Sequence, residues 1–186
     1  MNVQLPLRMD QATFLDWVQG QEERYELDQE KVVMMTGGSR AHWQIAFNLA
    51  KALDSRLDPN TWSVLPEFGV NLKPGSVRYP DVTVDIAGAT GTDLIATAPV
   101  LICEVLSPAS EQLDLEDKPA LYLHLPSLTA YLVFSQDQMK VWAWLRRTDG
   151  FPAEPIELDQ ADATIEIEAL GIEVPLAEVY SHVRFS

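Results

Sequence analysis

The sequence predicts an α/β or α+β domain built on a central mixed sheet. Three observations lead there. Ile45, Ala46, Leu49 and Leu53 recur at helical spacing within residues 37–57, a stripe that must face a core. Short apolar runs of strand length follow at 62–65, 70–72, 80–86, 100–106, 129–135 and 139–147. Helical patterns lie before and between these runs, so the two kinds of element alternate along the chain.

Each element has a local reason. Asp10 is suited to cap a short helix whose apolar face is Phe14, Leu15, Trp17 and Val18 and whose stop is Gly20. Residues 25–35 read as a hairpin around Asp28, Gln29 and Glu30. Ser39, after two glycines, is the expected cap of the long helix. Lys73 to Gly75 marks a turn, and residues 87–99 read as a surface loop. A helix is expected over 110–125, starting at Ser110, with Pro119 either kinking it or marking the first turn of a shorter one. The tail carries weak strand signals at Ile165–Ile167 and an amphipathic turn over 176–183.

The 186 residues suit one domain, 1–186, and 47% hydrophobic content is enough for a sizeable core. No apolar run approaches the roughly 18 residues of a membrane span, and the N-terminus has no secretory pattern. Cys103, the single cysteine, reads as an inert core thiol. A cytoplasmic location is the expectation. The formal net charge is -15. Residues 148–186 hold nine acidic residues against one basic, Arg184, an acidic segment expected to pack on the domain. This balance argues against tight nucleic-acid binding at physiological salt, because phosphate contacts need Lys and Arg.

Two carboxylates stand out. Asp81 follows Pro80 at the head of a strand, and Glu104 sits inside the apolar run 100–106. Side chains alternate along a strand, so Glu104 shares a face with Ile102 and Leu106, and Leu101, Cys103 and Val105 share the other. A lone buried carboxylate is costly, so Glu104 needs a proton, a cation or a metal ion. Asp81 and Glu104 at adjacent strand ends would suit a hard divalent cation. The plainer reading makes Asp81 a turn residue and pairs Glu104 with a lysine or arginine.

Several stretches together resemble the Uma-type family of restriction endonucleases, within the PD-(D/E)XK nuclease superfamily. They are YEL at 25–27, MTGGSRAHWQIAFNLAKAL at 35–53, YPDVTV at 79–84, CEVLSPAS at 103–110, Asp114 with Lys118, the segment 125–144, and PLAEVY near the end. The resemblance implies an α/β restriction-endonuclease-like fold, a central mixed sheet flanked by helices. It implies Asp81 and Glu104 as ligands of Mg²⁺, with Mn²⁺ as a substitute. The superfamily lysine two residues after the acid is absent, since that position is Leu106. In the Uma-type pattern it lies on the following helix, at Lys118, where it could activate water. On a helix Lys118 could instead pair with Asp114, four residues earlier. Glu26 corresponds to an outer carboxylate, and His42 to a histidine that contacts substrate phosphate or orients Glu26. Glu67 is a further candidate. Trp142 and Trp144 read as sheet faces. The family's Asp-Gly hairpin turn is replaced by Asp28-Gln29, which predicts a longer turn or one of another type.

The expected function is therefore a Mg²⁺-dependent endonuclease of nucleic acid, DNA foremost, with a homodimer favoured if both strands of a duplex are cut. The alternatives are a non-catalytic interaction module on a nuclease scaffold and a metal-dependent hydrolase of a small phosphorylated substrate.

Overall fold

The computed structural model describes residues 7–35, 37–106, 115 and 118–185. A six-stranded mixed sheet organises the fold. Its strand order is β10 (Ile156–Leu158), β9 (Val141–Leu145), β8 (Ala130–Phe134), β7 (Leu101–Val105), β6 (Val82–Ile86) and β3 (Trp62–Pro66). β7 and β8 run parallel, with Leu101 opposite Ala130, while the other neighbours are antiparallel. A parallel pair needs a crossover. Here that connection includes α3 (Lys118–Tyr122).

Helix α2 (Arg40–Asp54) covers one face of this sheet. The Ser39 hydroxyl caps it by accepting from the His42 N–H at 3.1 Å. Ile45, Leu49 and Leu53 on α2 meet Val82, Val84, Leu101, Cys103, Val105 and Leu132 in the largest core cluster. Each completely buried aliphatic side chain there contributes roughly 1.5–3 kcal/mol. The opposite face packs Ile102, Leu106, Tyr131, Val133 and Trp144 against Tyr122 of α3. The alternation expected along β7 is thus observed: 101, 103 and 105 face α2, and 102 and 106 face α3.

A second, antiparallel sheet has the order β2 (Lys31–Met34), β1 (Tyr25–Asp28), β5 (Ser76–Arg78) and β4 (Val70–Lys73). Phe14 of α1 (Gln11–Val18) packs with Leu27 and Val77 of this sheet. The β1–β2 turn corrects an expectation. It is neither longer nor irregular: Asp28 pairs with Lys31, leaving Gln29 and Glu30 as a two-residue loop, both with positive φ (49° and 66°). Positive φ at both central positions is what the type I′ turn requires. Tertiary bonds hold it, since Gln29 N–H donates to Ser76 Oγ (3.1 Å) and Glu30 N–H to the Gly75 carbonyl (2.8 Å).

Residues 87–99 are also more than a surface loop. Ala96 is buried, and the N–H groups of Thr97 and Ala98 each donate at 2.7 Å to the carboxylate of Asp85, itself buried on β6. In the expected helix over 110–125, residues 110–114, 116 and 117 lie outside the described residues. Pro119 occupies the second position of α3, where its missing N–H costs nothing. The tail supplies β10 at the sheet edge, a two-stranded pair of β11 (Thr164–Ile167) and β12 (Ile172–Pro175), and α4 (Leu176–Val179). Ile165, Ile167, Val174, Leu176 and Val179 enter the main core beside α2, so this acidic segment helps build the core.

Candidate active site

Strand register positions the two carboxylates. Val82 opposes Cys103 in the antiparallel β6–β7 pair, and one step further places Asp81 across from Glu104. Asp81 Oδ2 accepts the Val105 N–H at 2.6 Å, which fixes its carboxylate against β7. Oδ1 takes the His42 Nε2–H at 2.9 Å. His42 lies in the first turn of α2, so the Ser39 cap that starts the helix also sets where this imidazole points. His42 Nδ1 is buried and has no hydrogen-bond partner among the described residues.

Glu104 is 5% exposed, and its burial demands a cation or donors. Lys118 supplies the cation, its Nζ 2.7 Å from Oε1, and the Tyr122 hydroxyl donates to the same oxygen at 3.0 Å. Lys118 and Tyr122 are four residues apart on α3, hence on one side of the helix. Lys118 is itself 7% exposed and has the buried setting of a core ion pair rather than a surface one. Asp114 lies outside the described residues. Burial, and then the charge of Glu104, push the Tyr122 phenol well above its ordinary pKa. Burial does the same to the Cys103 thiol, reinforced by Glu104 and then Asp81. The thiol is therefore inert at neutral pH.

Glu26 sits on β1, in the other sheet. It accepts from Arg78 at 2.9 Å and from the Tyr79 N–H at 3.1 Å. His42 therefore meets Asp81, not Glu26, because α2 packs over β6 and β7 rather than over the hairpin. Arg78 also pairs with Asp28 at 3.0 Å. Burial alone would lower the Arg78 pKa, but Glu26 and then Asp28 outweigh it, and the guanidinium is held above its ordinary value. Glu26 also adds to the upward push on Tyr122, so its charge is felt at the Glu104 cluster. Glu67 follows β3, donates its N–H to the Asp81 carbonyl at 3.3 Å, and turns its carboxylate to Arg24.

Arg78 and Tyr122 are the neighbours that the sequence reading missed. Their signals were present: Arg78 opens the RYPD stretch, and Tyr122 stands one helical turn beyond Lys118. Asp85 is, with Glu104, a buried carboxylate on these strands, and its two backbone donors give it a structural task.

The donor chemistry fits a hard divalent cation. Mg²⁺ takes one or two carboxylates and completes its shell with water and phosphate oxygens. Each carboxylate oxygen has two lone pairs, so the bonds to Val105 and His42 leave Asp81 acceptor capacity. Among the described residues, no group of three or more His, Cys, Asp or Glu is arranged to hold a metal ion.

A mixed sheet flanked by helices, with paired acids at adjacent strand ends and a lysine from the crossover, defines a restriction-endonuclease-like protein. The chain matches the Uma2 family, described as "Putative restriction endonuclease", over residues 11–177, and it belongs to that family. Among its relatives is "Uncharacterized protein slr1290" of Synechocystis sp., 27% identical over 183 residues and covering 96% of this chain and 94% of that protein. A second from the same organism, "Uncharacterized protein sll1609", is 29% identical over 130 residues, covering 67% of this chain and 73% of that protein. The crystal structure of a "putative nuclease" from Anabaena variabilis superposes with a TM-score of 0.76 at 16% identity, over 95% of this chain and 99% of that one. At that identity the match shows the shared fold. Among the described residues, no helix is long and apolar enough to cross a membrane.

Proposed function

We propose that the protein is a metal-dependent endonuclease that hydrolyses phosphodiester bonds of nucleic acid, DNA foremost, in the cytoplasm. The observation that carries this reading is the Lys118–Glu104 pair on a strand whose register sets Asp81 opposite. Asp81 and Glu104 are the residues that would hold Mg²⁺, or Mn²⁺ in its place. When bound, such an ion supplies positive charge to the phosphate and acidity to a water. Lys118, anchored on Glu104, presents its ammonium beside the attacking water and favours the deprotonated form. That water attacks phosphorus in line and the opposite oxygen leaves. His42 keeps Asp81 oriented, and Glu26 with Arg78 forms an outer charged layer. A homodimer would present two such sites to the two strands of a duplex.

Cleavage of supercoiled plasmid and of RNA, with Mg²⁺ or Mn²⁺, tests this. Lys118→Ala is expected to lose at least about 10²-fold in rate, while calorimetry still detects Mn²⁺ binding. Asp81→Ala is expected to lose both. Removing Lys118 takes the cation from a buried ion pair, at a cost of up to about 3–5 kcal/mol, so circular dichroism must show a folded variant. The double change Leu106→Lys with Lys118→Ala should restore part of the activity, since position 106 shares the face of Glu104. Cleavage by Lys118→Ala at the wild-type rate would overturn the role of the lysine. The net charge of -15 favours a second reading, an interaction module or a hydrolase of small phosphorylated substrates. Metal binding without cleavage of any polynucleotide is the outcome that selects it.

A further inference from the structure

A basic pocket opens on this acidic chain. It encloses about 620 Å³ and is lined by Arg40, Ala41, Gln44, His182, Val183 and Arg184. Among the described residues no carboxylate contributes to this lining, although acidic residues outnumber Lys and Arg 28 to 13 in the chain. Arg24, Arg56, Arg78, Lys118 and Lys140 all pair with acids, yet neither Arg40 nor Arg184 forms an ion pair among the described residues. Both are exposed. The two guanidiniums beside one cavity repel each other, a cost that an anion would relieve.

The pocket is assembled, not incidental to a loose tail. The Asn48 amide donates to the carbonyls of Val179 (2.9 Å) and Ser181 (2.7 Å), tying the chain after α4 to the flank of α2. His182 then adopts φ 62°, in the left-handed region. Phe185 packs on Tyr180 with ring centroids 5.7 Å apart, which returns the chain along the helix. Arg184 is thereby delivered to the N-terminal turn of α2, beside Arg40. At 100° per residue, Arg40 and His42 lie about 200° apart on that turn. His42 faces Asp81 on the inner flank, so the basic pocket occupies the outer flank of the same helix end.

We propose that this pocket binds a backbone phosphate of the nucleic-acid strand, one that neighbours the scissile phosphate. It rests on the nuclease reading and adds to it the place where an otherwise acidic protein grips its substrate. A strand crossing the start of α2 meets Asp81 on one side of the helix and the two arginines on the other. Guanidinium groups suit this task because their fork of donors matches phosphate oxygens.

The test is fluorescence anisotropy of a labelled 20-base-pair DNA duplex, without divalent metal, across a salt series. It compares the wild type, Arg40→Gln with Arg184→Gln, and Arg40→Lys with Arg184→Lys. Each lost phosphate contact lowers the slope of log K against log salt by about 0.9. The Gln pair, which gives up that one phosphate, should therefore lose about 0.9 in slope and bind about tenfold more weakly near 0.1 M salt, while the Lys pair keeps the slope. An unchanged slope and affinity in the Gln pair, or no duplex binding by the wild type, overturns the proposal. Asp81→Ala run alongside separates the two ideas. If the Gln pair loses binding while even the wild type cleaves nothing, the pocket stands and the nuclease reading fails. If the Gln pair binds and cleaves as the wild type does, the pocket fails and the nuclease reading stands.

Discussion

Tyr122 shows how one side chain can set the character of the site. It is completely buried, and its hydroxyl gives Glu104 a second donor beside Lys118. Because burial and Glu104 raise its pKa well above the usual value, the phenol remains a donor at neutral pH. Tyr122→Phe removes that donor and keeps the ring. A hydrogen bond to a charged group contributes about 1.5–3 kcal/mol, so urea unfolding should show a loss of that order. Cleavage should fall less than in Lys118→Ala, because the ammonium stays on Glu104. A Tyr122→Phe protein as stable as the wild type would mean that water replaces the phenol, and that the pocket around Glu104 is wet. Among single residues, Asp81, Glu104, Lys118, His42 and Glu26 were legible in the sequence because a polar residue in an apolar strand, or in a family motif, is conspicuous. Arg78 and Tyr122 were not, since a hydrogen bond such as that between Glu26 and Arg78 spans 52 positions and leaves no local pattern.

At the level of elements, legibility followed periodicity. α2 carries a strong period-3.6 pattern and β7 is an apolar run of strand length, and both formed with the faces that helix and strand geometry dictate. β5 and β10 have three residues each and β12 has four, too few to show a period, and pairing to neighbours is what makes them strands. The β1–β2 turn was misread because Gln29 and Glu30 have no intrinsic preference for positive φ. Ser76 and Gly75 of β5 and its flank hold that backbone in place. Left-handed φ costs a non-glycine residue about 1–2 kcal/mol, partly offset by the greater chain entropy of Gly in the unfolded state. Replacing the pair with Asn-Gly (Gln29→Asn with Glu30→Gly) should therefore stabilise the protein by about 1 kcal/mol, read as a higher urea midpoint at unchanged m-value. The N–H groups that meet Ser76 and Gly75 are retained. A lower midpoint would show that the Glu30 side chain, which lies against Gly75, contributes more than the strain costs.

For the whole molecule, the sign of the pH dependence follows from which protons the fold hides. Cys103, Tyr122 and Tyr180 are buried, and burial is the largest cause of the upward shift in each. Cys103 lies in the core under α2, Tyr122 lies on the α3 side of the sheet, and Tyr180 joins the tail to the carbonyls of Ser135 and Lys140. Their ordinary values are 9.0 for the thiol and 10.0 for the phenols. Below about pH 9 both folded and unfolded chains keep all three protons, so these groups add no slope. Above it the unfolded chain releases protons that the folded chain retains, and stability must fall as pH rises. Each group contributes at most about 1.4 kcal/mol per pH unit. Urea midpoints should therefore hold steady to about pH 9 and then drop, first through the thiol and more steeply once both phenols titrate in the unfolded chain. Cys103→Ala should delay the onset, and Tyr180→Phe should flatten the steeper part. If Tyr180→Phe followed the wild-type curve to pH 11, its phenol would be ionising as readily in the folded protein as in water. The tail would then be detaching from β8 and β9 before the core unfolds, carrying Arg184 away from Arg40.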